Sequence, residues 1–258
     1  MAQIIAVVSG KGGVGKTTVT ANLGVALAAM GKSVLLIDGD VGLRNLDISL
    51  GLQDKIVYHF NDVINGLCTA KQAIVTYGKF AGLRLLSAPQ SVAWDDVDKA
   101  GFKKLIAELR NYYDYILIDC AAGIDDSFIT GVESADRVLI IATPELISIR
   151  DADRVALNLE RMQISQIHLI INRINIDMVK KGDMIDIDTI INTVAVPLIG
   201  AVPDESAVII SNNTGKPVVL STKSRAGKAF LNIAKRITGE KIPILKDERK
   251  GLLKFFRK

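Results

Sequence analysis

Residues 10–18 read Gly10-Lys11-Gly12-Gly13-Val14-Gly15-Lys16-Thr17-Thr18, and no other stretch constrains the fold as tightly. A run this rich in glycine is costly to order as strand or helix and marks a loop. The string fits G-x-x-x-x-G-K-[ST], which average residue usage produces by chance in roughly one chain in a hundred of this length. The aliphatic run Gln3–Ser9 precedes it and the Ala/Leu-rich stretch Lys16–Met30 follows, so the spacing predicts a strand–loop–helix unit. Glycines let backbone N–H groups converge on phosphate oxygens, and the helix start adds its positive dipole end. Gly12, Gly13, Val14, Gly15, Lys16, Thr17 and Thr18 are therefore candidate nucleotide contacts. Lys16 is expected to reach the β- and γ-phosphates of ATP, and the Thr17 hydroxyl to ligate Mg²⁺.

The rest of the chain alternates in the way such a unit requires. Strands are predicted near Gln3–Ser9, Ser33–Asp38, Leu83–Ser87, Tyr115–Asp119, Arg137–Ala142, His168–Asn172 and Pro197–Ala201. Helices are predicted over Lys16–Met30, Asp96–Tyr112, Leu146–Met162, Ile185–Thr193, Ser206–Asn212 and Arg225–Thr238. Hydrophobic residues make up 49% of the chain but aromatics only 5%, so the core must be Val, Ile, Leu and Ala. Aliphatic runs of that kind suit strands buried on both faces. The expected fold is α/β: a P-loop NTPase with a mostly parallel twisted sheet and helices on both faces. One ATPase domain is expected over residues 1–238, a linker over 239–250 and a tail over 251–258.

Acidic residues at strand ends are expected to complete a metal site. Tyr115-Ile116-Leu117-Ile118-Asp119 reads as a buried strand ending in a carboxylate, with Gly123 shortly after. Asp119 is expected to hold Mg²⁺ through water, and the Gly123 backbone to sense the γ-phosphate. Asp38 and Asp40 flank a glycine after the second strand, and Asp38 is placed to help hold the metal's water shell.

Lys11 is not required by the generic phosphate loop. The string KGGVGKTT, with its extra lysine, resembles the deviant Walker A motif of the MinD/ParA family of dimeric ATPases. The resemblance covers the whole chain. Asp38-Gly39-Asp40-Val41-Gly42-Leu43-Arg44-Asn45-Leu46-Asp47 is similar to switch I of the MinD branch, which determines the septum site. Asp119-Cys120-Ala121-Ala122-Gly123-Ile124 is similar to its switch II, with Ala at one position where the family carries Pro. The resemblance implies that Lys11 crosses a homodimer interface to the partner's nucleotide, as an arginine finger does. It makes Lys11, Lys16 and Asp40 the catalytic set, with Asp40 orienting the attacking water. Thr17, Asp38, Asp40 and Asp119 form the metal set. Asn172-Arg173 and Pro203-Asp204 border the adenine in the family, and both pairs fall at predicted strand ends, where ligands of open α/β sheets bind. An activator protein and a division-inhibitor protein are implied as partners. The stretch Ile147–Arg154 resembles the surface where both dock.

The C-terminus carries its own signal. Residues 249–258 hold five basic side chains and no acid. Taking those five from 32 basic residues leaves 27 against 28 acidic ones, a body near −1. On a helix, Leu252, Leu253, Phe255 and Phe256 fall within an arc of roughly 160°, with Lys250, Lys254, Arg257 and Lys258 opposite. Such a short basic amphipathic helix lies in a bilayer interface. Arg249-Lys250-Gly251-Leu252-Leu253-Lys254 also resembles the membrane-targeting end of the MinD branch. Burying four large apolar side chains is worth about 6–12 kcal/mol gross, and cations near anionic lipid add about 1 kcal/mol each. Ordering ten residues costs about 1.5 kcal/mol apiece, so one tail binds weakly and two on a dimer gain by effective concentration.

Three alternatives share the nucleotide site. A ParA-type DNA-segregation ATPase needs basic residues spread over its body; this body is nearly neutral, so nucleic acid is not an expected partner. An iron–sulfur relative needs two cluster cysteines per subunit, and Cys68 and Cys120 do not match its positions. A flagellar-placement relative of MinD is closer. The apolar run Ile4–Val8 is too short for a signal peptide or membrane span, and the cysteines lack CxxC spacing. The expected location is the cytoplasm, peripheral on the inner face of the cell membrane.

Overall fold

A computed structural model describes residues 1–244 of the chain, so the predicted tail and the end of the predicted linker lie outside the described residues. Eight strands form one sheet in the order β3-β4-β2-β5-β1-β6-β7-β8. They span Gln3–Val8 (β1), Val34–Gly39 (β2), Val75–Thr76 (β3), Leu83–Leu86 (β4), Tyr115–Cys120 (β5), Arg137–Ala142 (β6), Ile167–Ile174 (β7) and Leu198–Pro203 (β8). All pairings are parallel except β3 with β4.

Strand periodicity explains why the strands are aliphatic throughout. Ile4, Ala6 and Val8 of β1 join one core layer, and Ile5 and Val7 join the other. The first layer packs under α5 (Lys99–Leu109), α6 (Asp126–Glu133), α7 (Leu146–Arg161) and α9 (Ile187–Val194). The second packs under α1 (Lys16–Ala29), α2 (Leu46–Leu50) and α11 (Arg225–Ile237). Fully buried Phe230 and Ile233 anchor α11, each contributing about 1.5–3 kcal/mol by burial. Helix α1 is buried nearly all round because α11 covers the side that the sheet does not.

The fold is the α/β, mostly parallel arrangement expected, with differences at element ends. Helix α5 starts at Lys99 rather than Asp96, because the Asp98 carboxylate accepts from the Gly101 N–H at 3.0 Å and caps it there. Asp186 likewise delays α9 to Ile187 by accepting from the Thr189 N–H at 2.9 Å. The two-residue β3 was not foreseen. Nor were α2, α3 (Phe60–Ile64), α4 (Ala70–Ala73), α6 and α8 (Ile176–Lys181). All but α6 are under eight residues, too short for a period to declare itself.

Candidate functional site

The loop between β1 and α1 sits at the carboxyl ends of the central strands, where β1 lies between β5 and β6. Gly15 caps α1 with φ +91°, a conformation that side-chain-bearing residues rarely adopt. A Cβ there would also lie 2.3 Å from Nδ2 of Asn172. That nitrogen donates to the Val14 carbonyl at 2.8 Å, so β7 pins the loop in place. Gly10 is needed for closeness: an added Cβ would meet the Asp151 backbone of α7 at 2.6 Å.

Buried charge gathers beneath the loop. Lys16 Nζ donates to Asp119 Oδ1 at 2.8 Å, and both side chains are almost fully buried. Burial disfavours the ammonium, but the Asp119 carboxylate outweighs it and holds Lys16 above the usual lysine range. Thr20 Oγ1 donates to the same oxygen at 3.2 Å. Among the described residues the other oxygen, Oδ2, is buried without a hydrogen-bond partner. Asp38 lies in register with Asp119 on the neighbouring strand. Its two oxygens accept from the Asp40 and Leu46 N–H groups, each at 3.0 Å, folding the following loop back on the strand end. Burial, then repulsion from Asp119, raises its carboxyl to about 7. Asp40 is half-buried, and burial raises it too, against the pull of Lys16.

The loop after β5 is tied into the same centre. The Gly123 N–H donates to the Ser9 carbonyl at 2.9 Å. Ser127 Oγ accepts from the Ala121 N–H and donates to the Gly39 carbonyl, both at 3.1 Å, so one hydroxyl couples the loops after β2 and β5. Cys120 is buried and its thiol is pushed up to about 12 by burial, which leaves it inert.

Outside this centre, Lys11 Nζ reaches Glu145 Oε2 at the start of α7, 3.1 Å away, with both side chains partly exposed. Thr18 is buried, and its hydroxyl accepts from Asn212 Nδ2 of α10 (Ser206–Thr214) at 3.0 Å. Thr17 is half-buried at the start of α1. The ends of β7 and β8 meet: Ile174 pairs with Pro203, and the Asp204 N–H donates to the Ile174 carbonyl at 2.9 Å. This brings Arg173, exposed with φ +59°, and Asn172 alongside Pro203 and Asp204.

Sequence reasoning did not single out Thr20, Ser127, Glu145 or Asn212. Thr20 had a signal, since it stands one helical turn after Lys16 and so faces the same way. Asn212 and Glu145 come from elements brought in by tertiary packing alone.

The donor set suits a divalent cation. Asp38, Asp40 and Asp119 gather around one ammonium, and Asp119 Oδ2 is a buried acceptor left over. That oxygen, with the Thr17 hydroxyl, is what Mg²⁺ and its water shell need.

Fold, loop and buried Lys16–Asp119 pair together define a P-loop NTPase, and Lys11 places it in the deviant Walker A class. The family model described as "ParA: NUBPL iron-transfer P-loop NTPase" matches residues 1–238. The chain is 48% identical to the septum site-determining protein MinD of Synechocystis, covering 95% of this chain and 92% of the relative. It superposes on MinD in the MinC:MinD cell division complex of Aquifex aeolicus with a TM-score of 0.89 at 44% identity, covering 94% and 98% of the two chains. The Mg-ADP complex of MinD from Pyrococcus horikoshii gives a TM-score of 0.82 at 31% identity, covering 96% and 100%. The chain belongs to the MinD family of septum-site-determining P-loop ATPases.

Proposed function

We propose that the protein is a Mg·ATP-switched dimer that places the division septum. It attaches to the inner face of the cell membrane through residues 251–258 and leaves it on hydrolysis. The observation that carries this reading is Lys11, a cation that the generic phosphate loop does not require and that, among the described residues, pairs with Glu145 alone. An exposed pair of that kind is worth about 0.2–1 kcal/mol, so Lys11 can exchange Glu145 for a partner's phosphates. Exposed Leu146 and Ile147 follow Glu145 on α7, and exposed Ile209 and Ile210 lie on α10, the helix that Asn212 ties to Thr18. They offer an apolar surface beside the loop for a second copy. Thr17, Asp38, Asp40 and Asp119 would hold magnesium, Asp119 through water, and the ion would neutralise charge on the phosphates.

Each residue then has one task. Gly12, Gly13 and Gly15 open the loop backbone to the phosphates, and Lys16 holds the β- and γ-oxygens. Gly123 presents its backbone to the γ-phosphate, and Asp40 orients the attacking water. Lys11 of the other copy stabilises charge on the transferring phosphoryl. Asn172, Arg173, Pro203 and Asp204 border the base. The solved complex of a 44% identical MinD with MinC supports a division inhibitor as one partner. An activator that stimulates turnover completes the cycle.

The test is mass in solution by light scattering, with Mg·ATP and with Mg·ADP. Wild type is expected to double its mass with ATP alone. Lys11→Ala is expected to bind ATP yet stay monomeric and lose turnover, whereas Lys16→Ala loses nucleotide binding itself. Wild-type turnover by Lys11→Ala would rule out a role in trans.

A further inference from the structure

A groove of about 550 Å³ runs along the outer edge of β8; no residue of the phosphate loop lines it, and of the nucleotide-site residues named above it shares Pro203 alone. Ile176, Val179, Ile187 and Ile244 give it an apolar part. Lys180, Lys223, Arg225 and Lys228 also line it, and all four are exposed. Arg236 has another task. Its guanidinium donates to the carbonyls of Ile199, Ile242 and Pro243, each at 2.9 Å, which fastens residues 242–243 beside the strand edge. The acidic residues of the lining are Asp186 and Asp188, and Asp186 already caps α9 through the Thr189 N–H and hydroxyl. Glu205 accepts from Ser224 Oγ and the Ala226 N–H at the start of α11, so that helix end is also answered. Among the described residues, five basic side chains against two acidic ones leave the groove an excess of three positive charges on a body that is nearly neutral.

We propose that this groove is a second membrane contact, which seats the phosphodiester headgroup of an anionic lipid while the tail inserts beside it. The proposal rests on the membrane reading of the tail. Two observations choose the occupant. The first is charge combined with apolar surface: a lipid offers a phosphate attached to an apolar root, whereas a nucleic acid backbone would leave Ile176, Val179 and Ile187 unmatched. The second is where the chain leaves the groove. Ile244 lines it, and only six residues separate Ile244 from Gly251. Fully extended, that stretch reaches at most about 25 Å. With the tail in the bilayer, the groove stays within that reach of the headgroups, and its cations are attracted once they approach to about 8 Å, the screening length at physiological ionic strength.

The experiment is sedimentation of the full chain with Mg·ATP. The vesicles are phosphatidylcholine alone or phosphatidylcholine mixed with phosphatidylglycerol. Lys223→Gln/Lys228→Gln is expected to lower affinity for the mixed vesicles on the order of 20-fold, leaving binding to phosphatidylcholine and turnover in solution unchanged. Phe256→Glu is expected to lose binding to both kinds. Wild-type affinity of the double variant for mixed vesicles would overturn the groove and leave the tail reading intact. A Phe256→Glu protein that binds like wild type would sink the tail reading and this proposal with it. Tighter vesicle binding by the double variant would mean that the groove holds the chain's own tail. Loss of binding to labelled duplex DNA with vesicle binding unchanged would assign the groove to nucleic acid. Either result overturns the proposal.

Discussion

Two residues decide how the phosphate loop is held. Gly15 needs its left-handed backbone, and Asn172 Nδ2 occupies the space a side chain would need. Gly15→Ala is expected to cost about 1–2 kcal/mol for the backbone conformation and about 1 kcal/mol for the displaced Asn172 bond. Asn172→Ala alone loses only the bond. In the double variant the clash has no second atom, so its loss of stability should be smaller than the sum of the singles. A thermal double-mutant cycle checks this; strict additivity would mean that the loop and β7 are not coupled there. Asp38 carries a different signature. Its carboxyl is raised to about 7 by burial and by Asp119, so the folded chain holds its proton more tightly than the unfolded one. The stability this adds is fully present below the ordinary carboxylate range and is lost as pH rises through about 7. In nucleotide-free, Mg²⁺-free protein, wild type should therefore lose stability relative to Asp38→Asn between about pH 4 and 7 in denaturant titrations. A difference that stays constant across that range would show that Asp38 does not titrate there.

The element that joins site and surface is α7. Glu145 at its start holds Lys11, Asp151 packs its backbone on Gly10, and Leu146 and Ile147 are exposed between them. A partner that bears on this helix start can reach both the loop and the lysine. Asp151 is a poor probe of such a partner, because its backbone supports the loop. Asp153 is half-exposed and is not the residue whose backbone supports Gly10, so it is the better probe of the surface. Asp153→Lys is expected to weaken activator-stimulated turnover several-fold and leave basal turnover unchanged; equal stimulation of the two proteins would take this face out of the activator site. Helix α7 also illustrates what was legible beforehand. Its apolar period, like the strand pattern of β1, β5 and β6, is written in local sequence, and so is the phosphate loop. The ion pair of Lys11 with Glu145 spans 134 positions, and the bond of Asn172 to Val14 spans 158. Local pattern carries no record of such contacts. The short helices between β2 and β4 were missed for the related reason that tertiary packing, not periodicity, holds them.

At the scale of the whole molecule, the question is how a protein with no described helix long and apolar enough to cross a membrane could reside on one reversibly. The predicted tail supplies an apolar term and a cationic term that roughly cancel the cost of ordering it, so a single copy should dwell only briefly. Joining two copies makes the second insertion intramolecular, and its effective concentration turns two weak attachments into one strong one. Attachment should therefore rise steeply with protein concentration in Mg·ATP and remain shallow in Mg·ADP. Truncation before Gly251 should remove it while preserving ATP-dependent doubling of mass, because Lys11, Lys16 and the loops around Asp38 and Asp119 all lie in the folded body. Lys254→Glu should weaken binding to anionic vesicles roughly 5- to 30-fold and matter little on neutral ones, since it alters only the electrostatic share. Vesicle sedimentation across a concentration series measures all of this. Equal attachment in ADP and ATP would break the link between the nucleotide and the membrane. Attachment that survives the truncation would move the membrane surface onto the folded body.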